Sequence, residues 1–152
     1  MIYIVVLNWN SAKETIACLK SLVNLDDFNN IRIIVCDNDS DVDSIKQIES
    51  YLSDFYGNDY ISLNEDETLT YKIDKKFYFI KNFKNYGYAG GNNIGINFAL
   101  KFERMSYVWI LNNDTVVQSD SLKFMLHKFL ENNNYGVVGS RLVEMGNKIK
   151  VQ

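Results

Sequence analysis

The chain has 152 residues, of which 47% are hydrophobic, so it can bury one sizeable core and is expected to form a single domain over residues 1–152. Its 16 basic and 19 acidic residues are mixed along the sequence and give a formal net charge of −3, which predicts no nucleic-acid partner. Its longest apolar runs are far shorter than the roughly 18 residues that span a bilayer, so no transmembrane segment is expected.

The first residues predict a strand rather than a targeting segment. Met1 leads directly into residues 2–7, a near-continuous apolar run rich in β-branched side chains. That pattern is typical of a strand covered on both faces, as in a parallel sheet. A secretory signal would instead have a basic start and a cleavage site of small residues. We therefore expect a cytoplasmic protein, either free or held peripherally at the inner face of the membrane.

Strand and helix patterns alternate along the rest of the chain. Further strands are predicted at residues 31–36, 77–80, 107–111 and 135–140. Between them, apolar residues at helical spacing predict helices that follow Ser11, begin near Val42, run through Phe98 to Phe102, and follow Ser119 or Asp120. Ser11 and Glu14 have the spacing of a capping box. The alternation predicts an α/β fold with a Rossmann-like, mostly parallel sheet and helices on both faces.

Residues 53–76 do not follow this alternation. They are polar and acidic with scattered aromatic residues, and the most acidic stretch is residues 64–68. We interpret this segment as a surface insertion, for which a hairpin is one possible form.

Polar side chains follow four of the predicted strands. They are Asn8, Trp9 and Asn10 after the first strand, Asp37 and Asn38 after the second, Lys81, Asn82 and Asn85 after the third, and Asn112, Asn113 and Asp114 after the fourth. The carboxyl ends of parallel strands meet at one rim, where ligands of open α/β sheets bind. Turn and cap preferences explain most of these residues one by one, since the chain is rich in asparagine. They explain Asp37 and Asp114 less well, because each acid directly ends an apolar strand.

The two acids suggest different tasks. Asp37 is placed to accept hydrogen bonds from a ribose or from the edge of a base. Asp114, beside Asn112 and Thr115, is placed to hold a divalent cation whose remaining ligands are diphosphate oxygens. A turn-forming aspartate is the alternative interpretation of Asp114.

A glycine-rich segment, residues 87–95, follows the third strand. It matches neither G-x-G-x-x-G nor the phosphate-binding loop that ends in lysine and serine or threonine. Its glycines fit either a tight turn or a close approach of the backbone to a ligand or a neighbouring strand.

Four segments together resemble family 2 glycosyltransferases, in order and in spacing. They are VVLNWNS at residues 5–11, IVCDNDS at 34–40, NYGYAGGNNIG at 85–95 and LNNDTVV at 111–117. The bacterial rhamnosyltransferase-like branch is the most similar. The resemblance covers nearly the whole chain except residues 53–76, and implies the GT-A fold.

The resemblance also implies a nucleoside-diphosphate-sugar donor and a Mg²⁺ or Mn²⁺ ion. By position, Trp9 would lie against the base, Asp37 would bond its pyrimidine edge, and Asn93 would lie near the nucleotide. Packing against the core is the alternative for Trp9. Asp114 matches the last acid of the D-x-D type of metal motif, whose first acid is replaced here by Asn112. Since an amide is neutral, it holds a cation less strongly than a carboxylate does.

The resemblance implies an inverting transferase that uses dTDP-rhamnose or a UDP-sugar to extend a glycan or lipid-linked acceptor in cell-surface polysaccharide synthesis. The general base and the acceptor-binding half are expected beyond residue 152, because Glu144 comes too early in the chain. A nucleotide-binding module without transferase activity is the main alternative. A nucleotidyltransferase fits less well, because it would carry a glycine-rich basic loop where Asn8 and Trp9 stand. An incomplete sheet would also favour self-association.

Overall fold

The computed structural model describes residues 1–132 and 134–143. Its strands are β1 (Ile2–Asn8), β2 (Ile31–Asp37), β3 (Tyr60–Asn64), β4 (Phe77–Lys81) and β5 (Tyr107–Asn112), and its α-helices are α1 (Ala12–Leu22), α2 (Val42–Tyr56), α3 (Gly87–Ala99) and α4 (Ser121–Glu131). The strands form one sheet in the order β3-β4-β2-β1-β5, and every pair is parallel. The predicted α/β, Rossmann-like fold is confirmed. No helix among these residues is long and apolar enough to cross a membrane.

Alternate side chains of the interior strand β1 enter two different hydrophobic cores. Ile4 and Val6 pack in the core that α1, α2 and α4 cover, whereas Tyr3 and Val5 pack in the core that α3 covers. Successive side chains of a strand point to opposite faces, so both faces of β1 are buried. This explains the near-continuous apolar run, and confirms that helices cover both faces of the sheet.

The structure of residues 53–76 differs from the predicted surface insertion. Residues 53–56 complete α2, and residues 60–64 form β3, which pairs in parallel with β4. The hairpin interpretation is therefore wrong, because a hairpin joins antiparallel strands. The sequence pattern hides β3 because it is an edge strand in which only Leu63 is buried. The rest of the segment forms surface connections that contain two 3₁₀ turns, Gly57–Asp59 and Asp66–Leu69.

Three other sequence predictions also differ from the structure, namely one strand, one helix end and one helix cap. Residues 135–140 form no strand; Val137 is 89% exposed, and a strand requires a hydrogen-bonded neighbour. Helix α3 ends at Ala99 rather than at Phe102. Ser11 does occupy the N-cap of α1, but its side chain makes no capping hydrogen bond. Its ψ of 48° departs from the extended backbone that a capping side chain requires, so the capping box does not form.

Two glycines allow α3 to lie directly on the sheet. A Cβ atom at Gly95 would lie 2.7 Å from Cγ1 of Val5 and 2.8 Å from Sγ of Cys36, and one at Gly91 would collide with the Leu7 side chain. The close approach of the glycine segment to a neighbouring strand is therefore confirmed. This contact places the first turn of α3 beside the carboxyl ends of β1 and β2.

Candidate functional site

A cleft of about 460 Å³ opens at the carboxyl ends of β1, β2 and β5, beside the first turn of α3. Its lining residues are Leu7, Trp9, Asn38, Asn85, Gly87, Tyr88, Asn112, Asn113 and Asp114. The rim predicted from the strand ends is therefore a real concave surface. It brings together five of the predicted site residues, namely Trp9, Asn38, Asn85, Asn112 and Asp114.

Asn8 and Asp37 lie beneath the cleft rather than in its wall. Asn8 in β1 pairs with Asp37 in β2, and the two residues are 0% and 1% exposed, respectively. Asn8 Nδ2 donates to Asp37 Oδ2 over 2.6 Å, and the backbone N–H of Ser40 donates to Asp37 Oδ1 over 2.9 Å. Thr15 Oγ1 also donates to Asn8 Oδ1 over 2.8 Å. Asn8 therefore supports Asp37 from below and presents no surface of its own to a ligand.

Asn38 fastens the loop that connects β4 to α3. Its Nδ2 donates to Asn85 Oδ1 over 2.8 Å and to the Gly87 carbonyl over 3.3 Å. Its Oδ1 accepts from Asn82 Nδ2 over 3.2 Å and from the backbone N–H of Tyr86 over 3.1 Å. This single side chain is 2% exposed and makes hydrogen bonds to residues at both ends of the loop. Asn38 and Asn85 meet because of the path of the β4–α3 loop, and their spacing in sequence does not predict this contact.

Two exposed aromatic side chains belong to the cleft wall. Trp9 is 57% exposed and Tyr88 is 60% exposed, so neither packs in the core. The Tyr88 hydroxyl donates to Asn112 Oδ1 over 2.8 Å and thus links α3 to the end of β5. Tyr88 is not among the site residues predicted from sequence, although its place in the glycine segment, in the first turn of α3 beside the rim, is a usable signal.

Asp114 is the only carboxylate among the cleft-lining residues, and it is exposed. Asn112 beside it offers an amide oxygen, while Asn113 turns inward and donates to Thr15 Oγ1 over 3.0 Å. Among the described residues, no group of three or more His, Cys, Asp or Glu side chains could hold a metal ion. One carboxylate and one amide oxygen fit a hard cation such as Mg²⁺ only if ligand oxygens complete its shell.

Asn93 lies apart from the other predicted residues. It is exposed on α3 and does not line the cleft. Its neighbour Asn92 is 3% exposed and donates to the Tyr88 carbonyl over 2.9 Å. Since successive helix positions point in different directions, the one-residue difference decides which asparagine faces the sheet.

The two cysteines near the site are buried thiols. Burial raises the pKa of the Cys18 thiol to about 12, and the negative charge of Asp114 adds to this effect. Burial also raises the pKa of Cys36 to about 12, against a weaker opposing hydrogen bond from the Gly95 backbone. Both thiols are therefore neutral at physiological pH, and neither acts as a thiolate nucleophile.

The family assignment rests on residues 3–150, which match the model of Glycosyl transferase family 2. The chain belongs to glycosyl transferase family 2. The resemblance seen in the four sequence segments is thereby confirmed. No curated protein matches the chain.

Solved structures similar to this family 2 chain include S. aureus TarS. The crystal structure of TarS 1-349 has a TM-score of 0.60 and 18% sequence identity, covering 94% of this chain and 38% of the TarS chain. The complex of TarS 1-349 with UDP-GlcNAc has a TM-score of 0.58 and 17% identity, covering 91% and 37%. The longer TarS structure has a TM-score of 0.59 and 16% identity, covering 95% and 23%. The chain thus shares the TarS fold and spans less than half of the TarS chains.

Proposed function

We propose that this family 2 chain binds a nucleoside-diphosphate sugar in the cleft and forms the donor-binding part of a glycosyltransferase. The observation that carries the proposal is the pairing of an exposed aromatic ring, Trp9, with an exposed carboxylate, Asp114, on one cleft at the strand ends. A nucleotide has a flat base, which suits the aromatic ring, and an anionic diphosphate, which suits the carboxylate when a divalent cation lies between the two. The UDP-GlcNAc complex of TarS supports this class of ligand.

The base would be recognised by Trp9 and Asp37. Trp9 has free ring surface for stacking. Each Asp37 oxygen accepts one side-chain or backbone hydrogen bond from the described residues, and a carboxylate has capacity for about four, so it can still accept the imino N–H of a pyrimidine. Because Asp37 is 1% exposed, such a contact requires a local adjustment of the residues around it.

The diphosphate would bind beside Asp114 and Asn112. The Asp114 carboxylate and the Asn112 Oδ1 atom would hold a Mg²⁺ or Mn²⁺ ion. When bound, such an ion neutralises the negative charge that grows on the departing diphosphate. The Tyr88 hydroxyl orients Asn112 by donating to its Oδ1 atom. A carbonyl oxygen has two lone pairs, so this bond leaves one for a cation.

The proposed reaction transfers the sugar, with dTDP-rhamnose or a UDP-sugar as donor, to a hydroxyl of a glycan or lipid-linked acceptor in polysaccharide synthesis at the cell surface. The proposal extends to an inverting mechanism and a cytoplasmic location. A general base is needed to remove the acceptor proton. Asp114 is the one acid in the cleft and is assigned to the cation, so the base is expected outside the cleft described here.

Calorimetric titration tests the donor site. UDP, dTDP and GDP are titrated into the protein with Mn²⁺ and again with a chelator. We expect binding of a pyrimidine diphosphate that weakens when Mn²⁺ is removed and weakens equally in Asp114→Ala. Asp120→Ala is the matched control, because that nearby carboxylate makes no capping hydrogen bond and lies outside the cleft. A folded protein that binds none of the three nucleotides would contradict the proposal.

A nucleotide-binding module without transferase activity is the second candidate. The single carboxylate of the cleft favours it, because sugar transfer requires a base in addition to a cation ligand. Release of UDP from a UDP-sugar separates the two candidates. Tight UDP binding without any turnover of donor would favour the module, whereas metal-dependent turnover would favour the enzyme.

A further inference from the structure

The carboxylate of Glu65 holds the β4–α3 loop, residues 82–86, from the side opposite Asn38. Glu65 follows β3 directly, and its backbone N–H donates to the Lys81 carbonyl over 3.0 Å. Its Oε2 atom accepts from the backbone N–H of Phe83 over 2.9 Å, and its Oε1 atom accepts from the Tyr86 hydroxyl over 3.0 Å. One side chain therefore contacts both the beginning and the end of the loop.

The loop that Glu65 holds carries part of the cleft. Asn85 lies within it and lines the cleft, and Asn85 Oδ1 accepts both from Asn38 Nδ2 and from the Gly87 backbone N–H, each over 2.8 Å. Glu65 itself does not line the cleft. Any effect of Glu65 on a ligand in the cleft must therefore pass through the loop.

Packing against α3 restricts Tyr86, the hydrogen-bond partner of Glu65. A Cβ atom at Gly90 would lie 2.7 Å from Cβ of Tyr86, so the start of the Tyr86 side chain lies tightly against α3. The Lys84 ammonium lies 5.1 Å from the centre of the Tyr86 ring. Desolvation and the neighbouring Glu65 carboxylate both raise the pKa of Tyr86, which keeps its hydroxyl protonated and able to donate.

We propose that Glu65 is a positioning residue for the nucleotide site, acting by fixing the β4–α3 loop so that Asn85 and the first turn of α3 face the ligand. This inference rests on the proposed function. It assigns a role in ligand binding to the segment between α2 and β4, which lies outside the four family-like segments. A charge-assisted hydrogen bond to a backbone N–H is among the stronger polar contacts of a protein, so one carboxylate is sufficient for this task.

The test compares Glu65→Ala with Glu67→Ala in the full chain. Glu67 is the matched control, because it is an acid of the same segment whose Oε2 accepts from the Asn64 backbone N–H over 2.6 Å. UDP affinity is measured by calorimetry, and amide hydrogen exchange is measured without nucleotide. We expect Glu65→Ala to weaken UDP binding roughly ten-fold. The Phe83 and Tyr86 amides should exchange faster, although the Tyr86 amide is bonded to Asn38 and not to Glu65.

Two conservative variants separate positioning from general stability. Glu65→Gln keeps an oxygen for the Phe83 N–H and places an amide near the Tyr86 hydroxyl, so it should restore most of the affinity. Tyr86→Phe removes one of the two bonds and should give an intermediate loss. If Glu65→Ala keeps the wild-type UDP affinity and the wild-type exchange rate of the Tyr86 amide, the role of Glu65 is overturned and the proposed function is not. Equal losses in Glu65→Ala and Glu67→Ala would also overturn it, whereas a wild-type chain that binds no nucleotide overturns the proposed function itself.

Discussion

At the scale of single residues, Asn8 joins several buried polar side chains beneath the cleft. Its two amide N–H groups are shared among Asp37, Ser40 and Ser44, and its Oδ1 atom accepts from Thr15; all four partners are buried. Asn8→Ala should lower the free energy of unfolding by about 1–3 kcal/mol, because it leaves buried polar groups without partners. Urea denaturation followed by circular dichroism measures this change.

The control for Asn8 is Asn93→Ala. Asn93 is exposed on α3, so its removal should change the free energy of unfolding by less than about 0.5 kcal/mol. Similar losses in the two variants would show that the buried network does not contribute specifically to stability.

Trp9 should affect binding without affecting stability. Because its side chain is 57% exposed, Trp9→Ala should leave the urea midpoint unchanged. Stacking of a base on an aromatic ring contributes about 1–3 kcal/mol, so UDP affinity should fall roughly ten- to hundred-fold. Trp9→Phe should retain most of the affinity, because it keeps an aromatic face. Unchanged UDP affinity in Trp9→Ala would remove the ring from the site.

At the scale of elements, the contact of α3 with the sheet depends on Gly95. Gly95→Ala should destabilise the fold by about 1–3 kcal/mol, because the new methyl group collides with Val5 and Cys36. Alanine gains up to about 1 kcal/mol in helix propensity, which offsets only part of that cost. Thermal unfolding measures the balance. Gly136→Ala, whose Cβ would have no atom within 4 Å, should melt at the wild-type temperature.

Three of the four strands that were predicted correctly are covered on both faces, while the fourth, β5, is apolar in sequence although it lies at the sheet edge. β1, β2 and β4 are buried along almost their whole length, so their apolar runs are unbroken. β3 could not be predicted, because only Leu63 among its residues is buried and its polar neighbours hide the pattern. The same pattern at residues 135–140 predicts a strand that the structure lacks, because an apolar run cannot reveal whether a neighbouring strand exists.

The candidate site was predictable as a place but not in its internal arrangement. Strand ends locate the rim because all parallel strands end on one side of the sheet. Spacing along the chain does not show that Asn8 and Asp37 bond to each other beneath the surface. It also does not show that Glu65 reaches the β4–α3 loop, since that contact depends on β3, which the sequence pattern does not predict.

At the scale of the whole molecule, β5 is a sheet edge with exposed apolar residues. Among the residues that the structure describes it pairs with β1 alone, and Tyr107 and Ile110 are 39% and 46% exposed. An uncovered edge of this kind offers free backbone groups to another chain. We expect the protein to self-associate, with a sedimentation coefficient that rises with protein concentration.

A charge on the edge should reduce this association. Ile110→Lys should shift the protein toward the monomer, because lysine on an edge strand opposes pairing. Leu130→Lys, which adds the same charge on α4 where Leu130 is 78% exposed, should leave the association unchanged. A wild-type protein that sediments as a monomer at every concentration would contradict the expectation.

The position of β1 between β2 and β5 also governs the order of events during synthesis. Ile2 pairs with Ile31 on one side and with Tyr107 on the other, so β1, which comes first among these strands in chain order, is the last of them to acquire both neighbours. Contacts this distant in sequence slow folding, because a long loop must close before they form. A nascent chain that has emerged only through β4 would leave one edge of its most hydrophobic strand open, and is the form in which we expect chaperones to bind.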